Sequence, residues 1–230
     1  MEHRGFHHHK TKADSMLKKV LMLSLIFAFG SIKAQEKFNF KNGRNFSNHY
    51  EPLIKLLPKQ ILDHPEFQLR LWYGVEPSRR FDYGYGLLLI AYKNGKWKAN
   101  KILITELTRV EKKRIITTKK VYSLPLKPFD IQYQFNALKA DGLFLAQSVS
   151  EEQLYKLLKQ RGYDMYKGYP SVVDGFGFSV ELVTGKAKRS FCGRYPEYFY
   201  NKTDKLVPEL IPLIKIQKRL FNIADVSLGL

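Results

Sequence analysis

A single cysteine, Cys192, in 230 residues leaves no intramolecular disulfide to form, so the chain must be held together by packing even in an oxidising compartment. Histidine is almost as scarce: there are six, and four of them fall within the first fifteen residues, so only His49 and His64 serve the rest of the chain. Histidine-based catalysis and His-containing zinc sites therefore lack their usual groups, and no H-E-x-x-H spacing occurs. The sequence also has no G-x-S-x-G, no P-loop and no dinucleotide fingerprint. The short "GYG" at 84–86 and "GFG" at 175–177 read as turns. Neither a metal nor a cofactor is expected. Acidic residues are in short supply as well, 21 against 39 Lys and Arg, for a net charge of +18. Long apolar runs are missing too. The uncharged stretch from Val20 to Ile32 falls short of the roughly 20 residues that a membrane-spanning helix needs.

That stretch has another use. Lys18 and Lys19 precede it, and Lys33, Ala34 and Gln35 follow it. This is the order of a signal peptide: positive start, short apolar core, small residue at the cut. Residues 16–34 are read as that signal, and residues 1–15, "MEHRGFHHHKTKADS", as a non-native or misassigned extension, with a metal-binding "HHHK" tract as the competing reading. No cysteine follows the core, so no lipoprotein anchor is indicated. The Lys-Lys start and the "AQ" ending resemble signal peptides of exported Bacteroidota proteins, which implies a periplasmic or extracellular location. Removing residues 1–34 leaves 196 residues with 33 basic and 19 acidic side chains, a net charge of +14. No transmembrane segment is expected in that remainder. Its length suits one domain, placed at 50–230 after a flexible arm at 35–49.

Periodicity supplies the elements. "YEPLIKLLPKQIL" from Tyr50 has helical spacing and should break at Pro58. "FQLRLWYGV" alternates as a strand. "LLLIAYKNGKWKANKILI" places Asn94-Gly95, a pair suited to a type I′ turn, between two strand-like runs, which sets Tyr92 opposite Trp97 and Ile90 opposite Ala99. "RIITTKKVYSL" from Arg114 predicts a further strand. "FDIQYQFNALKADG" predicts a short helix stopped by Gly142. "SEEQLYKLLKQRG" predicts a helix with a Ser150/Gln153 capping box and Gly162 as its stop. "FGFSVELVTGKAKRSF" predicts a hairpin about Thr184-Gly185, which puts Glu181 across from Lys188, or from Arg189 if the loop is one residue longer. A last helix is expected from Pro212. The fold class that follows is α+β: an antiparallel sheet built from hairpins and packed on one side by several amphipathic helices.

Two groups of residues carry candidate chemistry. Lys and Arg recur along the first strands, interleaved with aromatics. Tyr92, Lys96, Trp97, Lys98, Lys101, Lys112 and Arg114 are the candidate binding residues, since cations hold an anionic polymer and rings stack on it. The competing reading is that the lysines only keep solvent-facing and edge strands from pairing with other chains. The second group is Asp174, Glu181 and Arg194, an alternative catalytic set in which paired carboxylates do hydrolytic work; here the competing reading is a cross-strand ion pair at Glu181 and a turn at Asp174-Gly175. Cys192 lies near Arg189 and Arg194, which favour a thiolate, yet neither His is placed by sequence to serve as its base, so it reads as a half-buried strand residue.

The order of hairpins, middle helix, "DG…FSVEL…G" hairpin and closing amphipathic helix, over about residues 67–221, is similar to small exported Bacteroidota proteins of uncharacterised function. That resemblance implies export and an α+β fold. The functional expectation is a non-enzymatic binding protein that contacts an anionic glycan, a lipid surface or a protein partner of the cell envelope. A hydrolase near the 174–194 hairpin is the alternative. Nucleic acid is not expected, because of the compartment.

Overall fold

In the computed structural model the strands are organised by the turn at Asn94-Gly95, whose two residues take φ of +49° and +78°, the left-handed conformation that a type I′ turn requires at both positions. β1 (Phe67–Val75), β2 (Tyr83–Lys93), β3 (Lys96–Glu111), β4 (Arg114–Leu124), β5 (Gly177–Thr184) and β6 (Lys188–Arg194) form one antiparallel sheet in the order β4-β3-β2-β1-β5-β6. Tyr92 stands opposite Trp97 and Ile90 opposite Ala99, the register that the two-residue turn dictates. The structure describes residues 38, 40, 50–61, 65–75, 82–111, 114–164 and 177–226. The extension at 1–15, the signal segment at 16–34, most of the arm at 35–49, His64, Lys112, Asp174 and Phe176 lie outside them, as do the side chains of Glu111 and Arg194. By backbone contacts the chain divides into two units, Met1–Asn39 and Phe40–Leu230, and all that follows concerns the second.

The helices are α1 (Glu51–Ile54), α2 (Ile131–Ala140), α3 (Glu151–Gln160), α4 (Pro196–Lys202) and α5 (Ile211–Ala224). Asp130 caps α2 by accepting from the Tyr133 N–H, and Gly142 follows with φ +92°. The capping box of α3 is complete: the Ser150 hydroxyl accepts from the Gln153 N–H, and the Gln153 side chain accepts from the Ser150 N–H. Pro212 sits in the first turn of α5, where a missing N–H costs nothing. α4 has no counterpart among the predicted elements.

One face of the sheet carries Phe67, Leu69, Leu71, Leu88, Ile90, Phe178, Val180, Leu182 and Phe191, all buried. Phe135 of α2 meets Phe67 at 5.2 Å and Trp97 at 4.7 Å, and Phe221 of α5 meets Tyr73 at 5.8 Å and Phe178 at 6.1 Å. Tyr73 lies over Gly86, its register partner, where an added Cβ would come within 2.1 Å of the ring. The glycine is what lets the ring lie flat.

The expectation of packing on one side only is corrected by the opposite face. Trp72, Leu87, Leu89, Ile102 and Ile104 form a second core with Leu53, Ile54 and Leu57 from the segment around α1, and Tyr50 stacks on Trp72 at 4.7 Å with planes 4° apart. The run Leu87–Ile90 is apolar at consecutive positions, so it has side chains to bury on both faces. α1 is only one turn long, ends before Pro58 and gives way to a 3₁₀ turn at Lys59–Ile61.

The β5–β6 turn also departs from expectation. Thr184 and Ala187 close it through a 2.8 Å bond from the Thr184 N–H to the Ala187 carbonyl, and the Thr184 hydroxyl accepts from the Ala187 N–H at 2.9 Å and the Lys186 N–H at 3.3 Å. The centre is therefore Gly185-Lys186, and Glu181 stands opposite Ser190 instead of Lys188 or Arg189.

Candidate functional site

Glu181 owes its surroundings to that register. From the other side β1 places Arg70 opposite it, and Arg70 Nη1 lies 3.3 Å from Glu181 Oε2, with Trp72 Nε1 donating to the same oxygen at 3.5 Å. Arg70 also donates to Gln68 Oε1 from Nε at 3.0 Å and Nη2 at 2.7 Å. Gln68 is buried and Glu181 entirely so. Glu181 Oε1 has no hydrogen-bond partner. A general base must come within about 2.6–3.2 Å of the proton it takes, and a carboxylate sealed from solvent offers a substrate no such approach. The arrangement locks β1 to β5 through a buried ion pair. Asp174 and the Arg194 side chain, the other two members of that set, lie outside the described residues.

Cys192 is exposed on the edge strand β6. Its N–H donates to Ser148 Oγ at 2.8 Å, and the two side chains meet at 3.5 Å. Ser148, together with Arg189, which donates to the carbonyls of Leu145 at 3.1 Å and Ala146 at 2.8 Å, ties the α2–α3 connection along this edge. Among the described residues no cluster of His, Cys, Asp or Glu is arranged to hold a metal ion, and no helix is long and apolar enough to cross a membrane.

The candidate binding residues divide between the two faces, as strand alternation requires. Lys96 and Lys98 are exposed and project opposite to Trp97. Trp97 turns under α2: its ring lies 5.0 Å from Tyr92 and 4.7 Å from Phe135, and its Nε1 donates to Gln132 Oε1 at 2.9 Å. The Tyr92–Trp97 pair is thus brought together as foreseen, but as part of the helix-covered aromatic core. Lys101 reaches toward the Asp225 carbonyl beyond α5 at 3.5 Å. Beside it the Lys127 ammonium, 2.8 Å from Asp225, holds that carboxyl below the usual range.

Arg114 belongs to a different place. Past Glu106, which pairs with Tyr83, the Asp82 carboxylate still accepts from the Thr108 N–H at 2.6 Å, and beyond that the described strand paired with β3 is β4 alone, their pairing running on to Glu111–Arg114. On one face of this ribbon Val110 stands opposite Ile115, and on the other Arg109 stands opposite Ile116. Val110 is 74% exposed and Ile115 76%. Ile116, Arg109, Arg114 and Lys120 are exposed as well, while Lys119 is paired with Glu106 at 2.5 Å. The ribbon therefore combines solvent-facing branched aliphatics with cations. The recurrence of Lys and Arg in the sequence pointed to the cations, Arg114 among them, but not to Val110, Ile115 and Ile116. The available signal was a β-branched pair inside a charged run, which alternation alone cannot assign to core or solvent. Compared with protein-family models, with curated proteins and with solved structures, the chain matches none.

Proposed function

We propose that this chain is an exported, non-enzymatic binding protein that attaches to an anionic lipid surface through the β3–β4 ribbon. The observation that carries the reading is the exposed β3–β4 ribbon, which presents the cross-strand pair Val110 and Ile115, about three-quarters exposed, on one face and Ile116 with Arg109, Arg114 and Lys120 on the other. Exposed aliphatics gain by entering the interfacial layer of a bilayer. Cations on the other face of the same two-stranded ribbon gain from its negative potential, about 1 kcal/mol each, when the ribbon enters end-on and brings both faces to the interface. The two cations nearest that end, Arg109 and Arg114, and two inserted aliphatics, the latter at about 1.5 kcal/mol each, amount to about 5 kcal/mol before orientational costs. That corresponds to a dissociation constant on the order of hundreds of micromolar. The burial of Glu181 supports this reading over a carboxylate hydrolase.

Co-sedimentation with vesicles tests it. Vesicles containing phosphatidylglycerol should carry the protein down at low salt, and release it as salt rises. Phosphatidylcholine vesicles should not bind it. Arg109→Glu with Arg114→Glu, or Val110→Asp with Ile115→Asp, should abolish sedimentation. Equal binding to neutral vesicles, or retention by either double variant, overturns the proposal, as does binding of a DNA oligonucleotide without vesicle binding.

A further inference from the structure

A cavity of about 590 Å³ opens between the α2–α3 connection, α3 and the start of α5, well away from the ribbon in the sequence and independent of the reading above. Its size falls within the roughly 300–1,000 Å³ of small-molecule clefts. Leu213 and Ala146, both buried, line it together with Val149, Leu157 and Pro212, so its surface is mainly apolar. Two local features keep it open. Gly142, also on its lining, carries no side chain because the chain turns there with φ +92°, and Ala146 adds only a methyl group. Leu145 is 79% exposed on the same lining, which extends the apolar surface toward solvent.

The charges decide what fits. Glu209 lines the cavity, but Arg161 holds both its oxygens in a fork, at 2.8 and 2.5 Å, and keeps its carboxyl below the usual range. Lys156, the other charged lining residue, is paired at 2.7 Å with Glu152 one turn back, and both side chains are largely solvated. Such a pair adds little stability, so the ammonium is free to swing to a better partner. We infer that this cavity binds a single-chain anionic amphiphile, its aliphatic tail lying along Val149, Leu157, Pro212 and Leu213 and its acidic head meeting Lys156. A neutral amphiphile would keep the tail contacts and lose the ion pair.

The test uses dodecanoate below its micellar concentration, with dodecanol as the neutral probe, against the full chain by calorimetry. Dodecanoate should bind saturably at one per chain. Leu157→Trp, which fills the cavity from a half-buried position, should weaken it at least about tenfold, and Val149→Phe should do the same if the first variant folds poorly. Lys156→Glu should weaken dodecanoate about fivefold or more and leave dodecanol unchanged. The Val110→Asp with Ile115→Asp protein should bind dodecanoate normally, which separates this site from the ribbon. Absence of saturable binding, or indifference to both filling variants, overturns the cavity assignment. Equal affinity for the two probes with no effect of Lys156→Glu overturns the anionic head group.

Discussion

The middle of the sheet, where β1 lies between β2 and β5, and the far end of the β3–β4 pair use the same antiparallel ladder in opposite surroundings. At the centre both faces are covered, so a charge such as Glu181 is trapped and every side chain is fixed by its neighbours. At the ribbon the same alternation presents Val110, Ile115 and Arg109 to solvent. The lesson is that charged and apolar residues exchange roles with depth: inside, the ion pair is structural and the aliphatics hold the fold, whereas outside the aliphatics face solvent and, under the proposed function, become the contact surface whose partner the cations select. Stability and binding should then be separable by mutation.

The sharpest way to break this comparison is to remove Arg70. With the guanidinium gone, Glu181 loses the one ionic partner it has among the described residues while it stays fully buried, and leaving an uncompensated buried charge costs about 3–5 kcal/mol. Arg70→Met should therefore lower the urea unfolding free energy by that amount. The double variant Arg70→Met with Glu181→Leu should recover most of it, because replacing a whole buried pair with apolar groups is often neutral. A single variant that costs less than about 1 kcal/mol would show that Glu181 is solvated after all.

How far this contrast can be read from sequence depends on the range of the interactions behind it. The Asn94-Gly95 hairpin was legible to the residue, because its register follows from two adjacent residues of suitable backbone freedom. The capping box at Ser150 and Gln153 was legible for the same reason. At the second hairpin, Thr184-Gly185 and Gly185-Lys186 are both acceptable turn centres, and the hydroxyl of Thr184 bonding back to two amides decides between them. One residue of slip was enough to replace Lys188 with Ser190 opposite Glu181. Arg70 was invisible as a partner, since it lies 111 positions away. The second apolar layer did leave a trace, in the consecutive leucines at 87–89 and in Trp72 on the supposedly outer side of β1. Of the two candidate sites, the cations were visible and their division between faces followed from alternation. The exposure of Val110 and Ile115 was not visible, because it depends on where the neighbouring strand stops.

A milder contrast is set by pH. Burial pushes the Tyr73 hydroxyl up to about 12, and burial, followed by the nearby Tyr85, raises Tyr50 as well. A folded-state value above the unfolded one of about 10 means the native chain holds its proton more tightly there. The stabilisation is complete below pH 10 and is lost as pH rises through the interval from about 10 to 12. Wild-type protein should lose about 1 kcal/mol between pH 9 and pH 11 from Tyr73. Tyr73→Phe should flatten that part of the profile, which stability curves at the two pH values would measure. An unchanged slope would place the ring in contact with water.

The smallest effect is expected at the ribbon, and it carries as much weight as the largest. Val110→Asp with Ile115→Asp introduces two charges at positions three-quarters exposed, away from every buried core residue of the described sheet. Surface substitutions of this kind usually stay within about 0.5 kcal/mol, so the urea midpoint should scarcely move. A loss of more than about 1 kcal/mol would instead mean that these aliphatics already pack against something within the chain, and the ribbon would then be an extension of the core. Little change in stability, combined with lost sedimentation, is the pair of results that only a contact surface produces, because a structural role predicts the two to fall together.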